Sequence, residues 1–283
     1  MEISNLTGVD IDVVLDGFEE AFREYAVGFD RKELEAMFVR RGYDPEVSFG
    51  AFDDGKLVAF TLTGRGIYGG RLTAYDCATG THPAYRGRHL ARNLFDQAVV
   101  RLRELGFEQY VLEVLKDNDP AIELYRNAGF CKTADFDCFR MPVSGLRAVD
   151  KTPDLEFEVR GILSDEVYAS EEFCDFLPSW QNSLESLMRG SGGLDFWGAY
   201  VGRKMVGCCV YDPMTGDVAR LAVTPRLRRH GIATELLRAA LSRTVSPTAK
   251  VLNIDATNKT LPLFLTAVGF GAGLSQFEMT KKL

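Results

Sequence analysis

The sequence predicts an α/β (α+β) protein made of two tandem lobes, each a mixed, mostly antiparallel sheet flanked by helices. Three observations carry that expectation. Strand-like runs and amphipathic helical patterns succeed one another through all 283 residues, the arrangement of sheet-and-helix domains. The order is also written twice. Pro83 and Pro225, like Arg86 and Arg228, stand 142 residues apart, while Asn118 and Asn258, like Gly129 and Gly269, stand 140 apart. Upstream, Phe49-Gly-Ala-Phe52 finds its counterpart in Trp197-Gly-Ala-Tyr200. A period this long marks a duplicated domain rather than a solenoid. The expected boundaries are a first lobe over 1–145, a linker over 146–155 with Pro153, and a second lobe over 156–283.

In the first lobe, helical patterns run from Asp16 to Ala26 and from Arg31 to Arg40. Val47–Phe52 and Lys56–Thr63 read as strands joined by Asp53-Asp54-Gly55, a strong hairpin signal. Arg71 to about Thr79 is a third strand, ending in Gly80. Leu90, Ala91, Leu94, Phe95, Ala98, Val99 and Leu102 then share one helical face. Tyr110–Leu115 is a short buried strand. Asp119 is suited to cap the next helix, with Pro120 at its first position and Gly129 just past its end. Phe136–Met141 closes the lobe. The second lobe repeats the series: helices near Asp165–Phe176 and Ser179–Arg189, and a hairpin from Phe196 to Tyr211. A strand at Val218–Val223 precedes a helix with Ile232, Ala233, Leu236, Leu237, Ala240 and Leu241 inward, then Val251–Ala256, Leu261–Val268 and Gln276–Lys281.

The bulk composition narrows the function classes. An apolar fraction of 46% with 26% charged residues is that of a soluble globular protein. The net charge of −7 argues against nucleic acid as a main partner. No apolar run approaches the ~18 residues of a membrane span, so no membrane partner is expected. The Met-Glu-Ile-Ser-Asn start lacks the pattern of a signal peptide. Cys77, Cys131, Cys138, Cys174, Cys208 and Cys209 have no CxxC or zinc-like spacing. They read as reduced thiols of a cytoplasmic protein with no metal site.

Each lobe carries a strand, a basic turn with glycine and an amphipathic helix: Pro83-Ala-Tyr-Arg86-Gly-Arg-His-Leu-Ala91 and Pro225-Arg-Leu-Arg228-Arg-His-Gly-Ile-Ala233. Such a turn holds phosphates, because N–H groups at the helix start point outward and the helix dipole favours an anion. Neither basic turn is a GxxxxGK[ST] or a GxGxxG loop. Arg228-Arg-His-Gly231-Ile-Ala233 fits the pattern Arg/Gln-x-x-Gly-x-Gly/Ala that follows a strand in the GCN5-related N-acetyltransferases, the GNAT family. Asn118-Asp-Pro-Ala-Ile-Glu-Leu-Tyr125-Arg-Asn-Ala-Gly129-Phe130 is similar to that family's second signature. With both features in both halves, the chain resembles a tandem GNAT protein of the bacterial type whose substrate is unassigned.

The resemblance implies acetyl-CoA as cofactor and direct transfer of its acetyl group to an amine of a small molecule or peptide. Pantetheine would bond Thr79, Gly80 and Thr81 in one lobe, or Leu221, Ala222 and Val223 in the other. Pyrophosphate would sit on Gly87, Arg88, His89, Leu90, Ala91 and Arg92, or on Arg229, His230, Gly231, Ile232, Ala233 and Thr234. Arg86 and Arg228 would add charge, and Asn118 and Asn258 would lie beside the cofactor. A Tyr matching Tyr125 commonly protonates the departing thiolate, and Asp76 and Glu113 are the candidates for general base.

The lobes depart from the family in complementary ways. His89 stands where the family has Gly, and Leu265 stands where the first lobe has Tyr125. Chemistry is therefore expected in the first lobe, with the reverse assignment open. The competing class is a non-catalytic acyl-CoA-binding protein with two decayed sites. Asn118 and Asn258 are also ordinary caps, and the arginines an ordinary solvated face. Pro178-Ser-Trp180-Gln-Asn182-Ser183 reads as a helix start capped by Ser179. It also resembles a segment of two-lobe GNAT proteins, which suggests an acceptor-site or interlobe role. Two lobes in one chain favour a monomer, a dimer staying open.

Overall fold

The computed structural model describes residues 1–24, 30–147 and 155–283. The expected helix end at Ala26 and linker residues 148–154 lie outside them. The chain divides into two compact units, one of Met1–Thr133 with Phe277–Leu283, the other of Ala134–Gln276.

The first unit opens with β1 (Glu2–Asn5), α1 (Ile11–Phe22) and α2 (Arg31–Arg41). Helix α1 begins five residues before the sequence pattern placed it, because the Asp10 carboxylate accepts from the Asp12 N–H and fixes the start there. Asp30 caps α2 in the same way. Strands β2 (Phe49–Asp53) and β3 (Lys56–Tyr68) meet at the expected turn, where Asp54 and Gly55 both have positive φ, 48° and 76°. Next come β4 (Arg71–Thr81), α3 (Leu90–Glu104), β5 (Gln109–Leu115) and α4 (Asp119–Asn127). Asn118, not Asp119, caps α4 by accepting from the Ala121 N–H.

Strand β6 (Cys131–Pro142) leads into the second unit, with β7 (Glu158–Gly161), α5 (Leu184–Arg189), β8 (Asp195–Val201) and β9 (Lys204–Asp212). Then follow β10 (Asp217–Val223), α6 (Ile232–Leu241), β11 (Thr248–Asp255), α7 (Thr260–Val268) and β12 (Gly271–Lys282). The two early helices expected here are mostly 3-10 turns, Ser164–Phe173 and Trp180–Asn182. Ser183, rather than Ser179, caps α5.

The sheet of the first unit runs β1-β2-β3-β4-β5-β12, that of the second β6-β11-β10-β9-β8-β7. The units thus differ from the sequence repeat at its last strand. Residues 134–145 fall with the second unit and 277–283 with the first. Pro142 to Phe136 pair antiparallel with Thr248 to Asp255 of β11, and Phe139 and Met141 enter that unit's core. Met279 enters the core of the first unit among Leu94, Phe95 and Phe130. Both closing strands offer apolar residues on one face, so local pattern suits either sheet and only packing selects between them.

Met279 is 1% exposed, and trimming such a side chain leaves a cavity. We expect Met279→Ala to cost about 2–5 kcal/mol and, by hydrogen exchange, to loosen amides of residues 1–133 well before those of 134–276. Equal loosening of both segments would contradict the assignment of β12's end to the first unit.

Candidate functional site

In each unit one parallel strand pair parts midway. Strands β4 and β5 are paired through Tyr75↔Val111, and β10 and β11 only at Asp217↔Lys250. Beyond that point β4 has an extra residue at Cys77, between the Leu62↔Ala78 and Thr63↔Asp76 pairs. Strand β10 has one at Ala219, between Val218↔Tyr211 and Arg220↔Val210. A bulge bends the strand and twists it away from its neighbour. Strand β11 is irregular as well: its register shifts between Val251 and Ile254, and buried Asn253 there has φ 59°.

The turn after each parted strand has one backbone shape in two sequences. Gly87 and His89 have φ 78° and 58°, Arg229 and Gly231 have φ 73° and 85°. Both positions of both turns are left-handed, and each copy gives glycine to one of them. His89 thus adopts the conformation for which the family uses Gly, and its imidazole makes no capping bond. Helical bonding starts only with Asn93 N–H to His89 O, and with Glu235 N–H to Gly231 O. The N–H groups of Leu90–Arg92 and of Ile232–Thr234 precede those bonds and suit an anion.

Arg86 and Arg228 act inside the protein rather than toward a ligand. Arg86 donates to Thr81 O (3.4 Å), Ala21 O (3.3 Å) and Glu24 Oε2 (2.6 Å). Arg228 donates to Val223 O (3.0 Å), Phe173 O (3.3 Å) and both oxygens of Asp175 (2.9 Å each). Each arginine thus ties its turn to the strand before it and to the segment preceding the sheet. Arg88 lies over the Tyr85 ring, and Arg92 bonds Asp96 and the Asn127 carbonyl. Arg226 and Arg229 are exposed and meet no carboxylate among the described residues. The Asn258 side chain accepts from Thr260 and Leu261 N–H, so both signature asparagines hold helix starts.

In the first unit side chains bond to one another beside the gap between strands. The Tyr125 hydroxyl donates to Asp76 Oδ2 (3.2 Å), and Thr79 Oγ1 donates to both Asp76 oxygens at 3.0 Å. Phe95 and Phe130, ring centroids 5.7 and 5.9 Å away, wedge the Tyr125 ring in place. Burial pushes the Asp76 carboxyl up from 3.8 to about 7, against the hydroxyls of Thr79 and Tyr125 and the charge of Arg41. Burial first, then the charge of Asp76, drives the Tyr125 phenol well above its ordinary value. Glu113, the other candidate base, accepts instead from the Tyr75 hydroxyl at 2.9 Å.

In the second unit the gap is open. A cavity of about 570 Å³ is lined by Leu221, Ala222 and Val223 on β10, by Val251–Ile254 on β11, by the Arg228–Thr234 turn and by α7, within the ~300–1,000 Å³ of small-molecule sites. Leu265, fully buried, takes the place of Tyr125. Three buried polar residues, Asn182, Arg220 and Asn253, belong to its wall. Asn182 donates to Leu252 O, and Asn253 donates to Ser179 Oγ, so the Pro178–Asn182 segment forms part of the wall. Sequence reasoning missed Arg220 and Asn253; the one available signal was a lone Arg in the apolar run Val218–Val223.

Residues 14–130 match the Acetyltransferase (GNAT) family and residues 192–270 the Acetyltransferase (GNAT) domain. The chain belongs to the GNAT acetyltransferase family. It carries two GNAT domains in tandem. N-alpha-acetyltransferase 30 of Schizosaccharomyces pombe is 28% identical over 89 residues, 31% of this chain and 59% of that protein. Mycothiol acetyltransferase of Thermobifida fusca is 33% identical over 95 residues, 31% of this chain and 29% of that one. The chain thus spans less than two thirds of either relative. In fold it is similar to a tandem GNAT protein from the clavulanic acid biosynthesis pathway (TM-score 0.70, 16% identity, 99% of this chain, 98% of that one). A GCN5-related N-acetyltransferase from Sphaerobacter thermophilus gives TM-score 0.70 at 14% identity, over 99% and 95%.

Two outcomes test this geometry. A left-handed non-glycine residue costs roughly 1–2 kcal/mol, so His89→Gly should raise stability by about 1 kcal/mol in denaturant melts. The Asp76 carboxyl is raised in the folded protein, so its favourable contribution is full below about pH 3.8 and lost as pH rises through about 7. Relative to the parent, Asp76→Asn should therefore gain thermal stability between about pH 4 and pH 8; a pH-independent difference would contradict the raised carboxyl.

Proposed function

We propose that the protein is an N-acyltransferase that moves an acetyl group from acetyl-CoA to a primary amine of a small molecule or peptide, with its chemistry in the first unit. The observation that carries this reading is the Tyr125–Asp76–Thr79 cluster beside the bulge of β4. When bound, acetyl-CoA supplies a thioester open to amine attack and a sulfur that needs a proton on leaving.

This chain's residues supply the proton traffic. Asp76, near 7, is matched to accept a proton from an amine at neutral pH. Tyr125 keeps its proton far into the alkaline range and is suited to give it up only to a strongly basic partner. At 3.2 Å, Asp76 can restore the phenol afterwards, which returns both groups to their starting state. The Cys77 bulge leaves backbone polar groups out of the regular ladder, where an N–H can steady a developing oxyanion. The exposed N–H groups of Leu90–Arg92 suit the pyrophosphate, and Glu113, bound to Tyr75, shapes the wall. Six free thiols agree with a reducing, cytoplasmic setting, and no described helix is long and apolar enough to cross a membrane.

A second reading rests on the open cavity of the second unit. That unit has the phosphate turn and a cavity but Leu265 in place of the phenol, so it holds an acyl-CoA without turning it over. The two readings separate in one enzyme. Tyr125→Phe should lower kcat by roughly 100-fold, with acetyl-CoA affinity by calorimetry within about twofold. Asp76→Asn should abolish the rate inflection near pH 7. Full activity in both variants would move the chemistry to the second unit.

A further inference from the structure

Arg220 is 6% exposed and belongs to the wall of the second unit's cavity. Its guanidinium has five N–H donors, yet its partners are two neutral oxygens, Ser170 Oγ at 3.2 Å and the Asn182 carbonyl at 3.4 Å. No carboxylate lies within ion-pair distance of it among the described residues. The two acidic residues that line the cavity are engaged elsewhere, Asp175 by Arg228 and Glu235 by Arg238. The nearby thiols supply no anion either, since burial pushes the Cys208 thiol up to about 11 and raises that of Cys174 as well. A buried cation without a counter-ion is costly and is normally paired.

The fold does not require this charge. The equivalent residue of the first unit, 142 positions earlier, is Ala78, and that strand is bulged in the same way. The half-buried arginine of the first unit, Arg41, in contrast has the charges of Asp76 and Glu113 near it. Nor do phosphates account for Arg220. They have the turn and the exposed Arg229, whereas Arg220 stands next to the Ala219 bulge, on the far side of Leu221–Val223. Asn182 and Asn253, both buried, add further polar atoms to the same cavity wall.

We propose that this cavity binds a ligand carboxylate through Arg220. The planar guanidinium matches a carboxylate in a forked pair, and entry of the anion supplies the missing counter-charge. The carboxylate comes either from a dicarboxylic acyl group on CoA or from an amino acid bound beside it; the chemistry at Arg220 is the same. This proposal rests on the reading that the second unit holds an acyl-CoA.

The test is calorimetric titration of the intact protein in two arms. One compares succinyl-CoA with acetyl-CoA; the other, at saturating CoA, compares glutamate and glycine with their carboxamides. The expected result is a preference of tenfold or more for the carboxylate form in one arm, which names its source, and collapse of that preference in Arg220→Met. Equal binding of charged and neutral forms in both arms overturns the proposal, as does a preference that survives Arg220→Met. Failure of CoA itself to bind overturns the acyl-CoA reading instead, a separate result. Should Arg220→Met not fold, Arg220→Lys, which keeps the charge and loses the fork, is to lower the preference at least threefold; an unchanged preference there overturns the proposal too.

Discussion

Everything at the two sites depends on one constraint: a parallel strand pair that stops pairing halfway. Where β4 leaves β5 and β10 leaves β11, backbone N–H and C=O groups lose their ladder partners and a gap opens in the middle of the sheet. Unpartnered backbone in a protein interior has to be met by side chains, water or a ligand. The bulges at Cys77 and Ala219, 142 residues apart like the turns that follow them, put that gap at the same place in both copies.

The copies then meet the constraint differently. The first sets Tyr125, Asp76 and Thr79 beside its gap, a closed network in which every hydroxyl points at the same carboxylate. Enclosure of that carboxylate is what brings it near neutrality. The second unit replaces the tyrosine by Leu265 and leaves about 570 Å³ open, with Arg220 in its wall. One has polar groups bonded to one another, the other has room and charge. Such a division is what gene duplication permits, because either copy is free to lose what the other keeps.

Around this difference the scaffold is shared. Arg86 and Arg228 clamp equivalent turns to equivalent carbonyls, Thr81 O and Val223 O. What suits an anion there is the set of N–H groups at the two helix starts that precede helical bonding. The left-handed geometry at His89 and Arg229 shows the backbone of the turn overriding residue preference, which holds only when the surrounding packing fixes the turn.

The sequence by itself determined the duplication, the sheet-and-helix composition and the two basic turns, because each is encoded in residues close together along the chain. It also singled out Tyr125 by its signature, and named Asp76, 49 residues away, only beside Glu113 as what the resemblance implied. Tertiary structure alone decided what neighbours do to one another. It set which sheet takes each closing strand, since Met141 and Met279 fit either by pattern. It turned Arg86 and Arg228 inward, kept Asn118 and Asn258 as caps, and tied Glu113 to Tyr75. It also left Arg220 buried without an anion. Those outcomes depend on distances between residues remote in sequence, and on the burial that sets their charge, neither of which a local pattern contains.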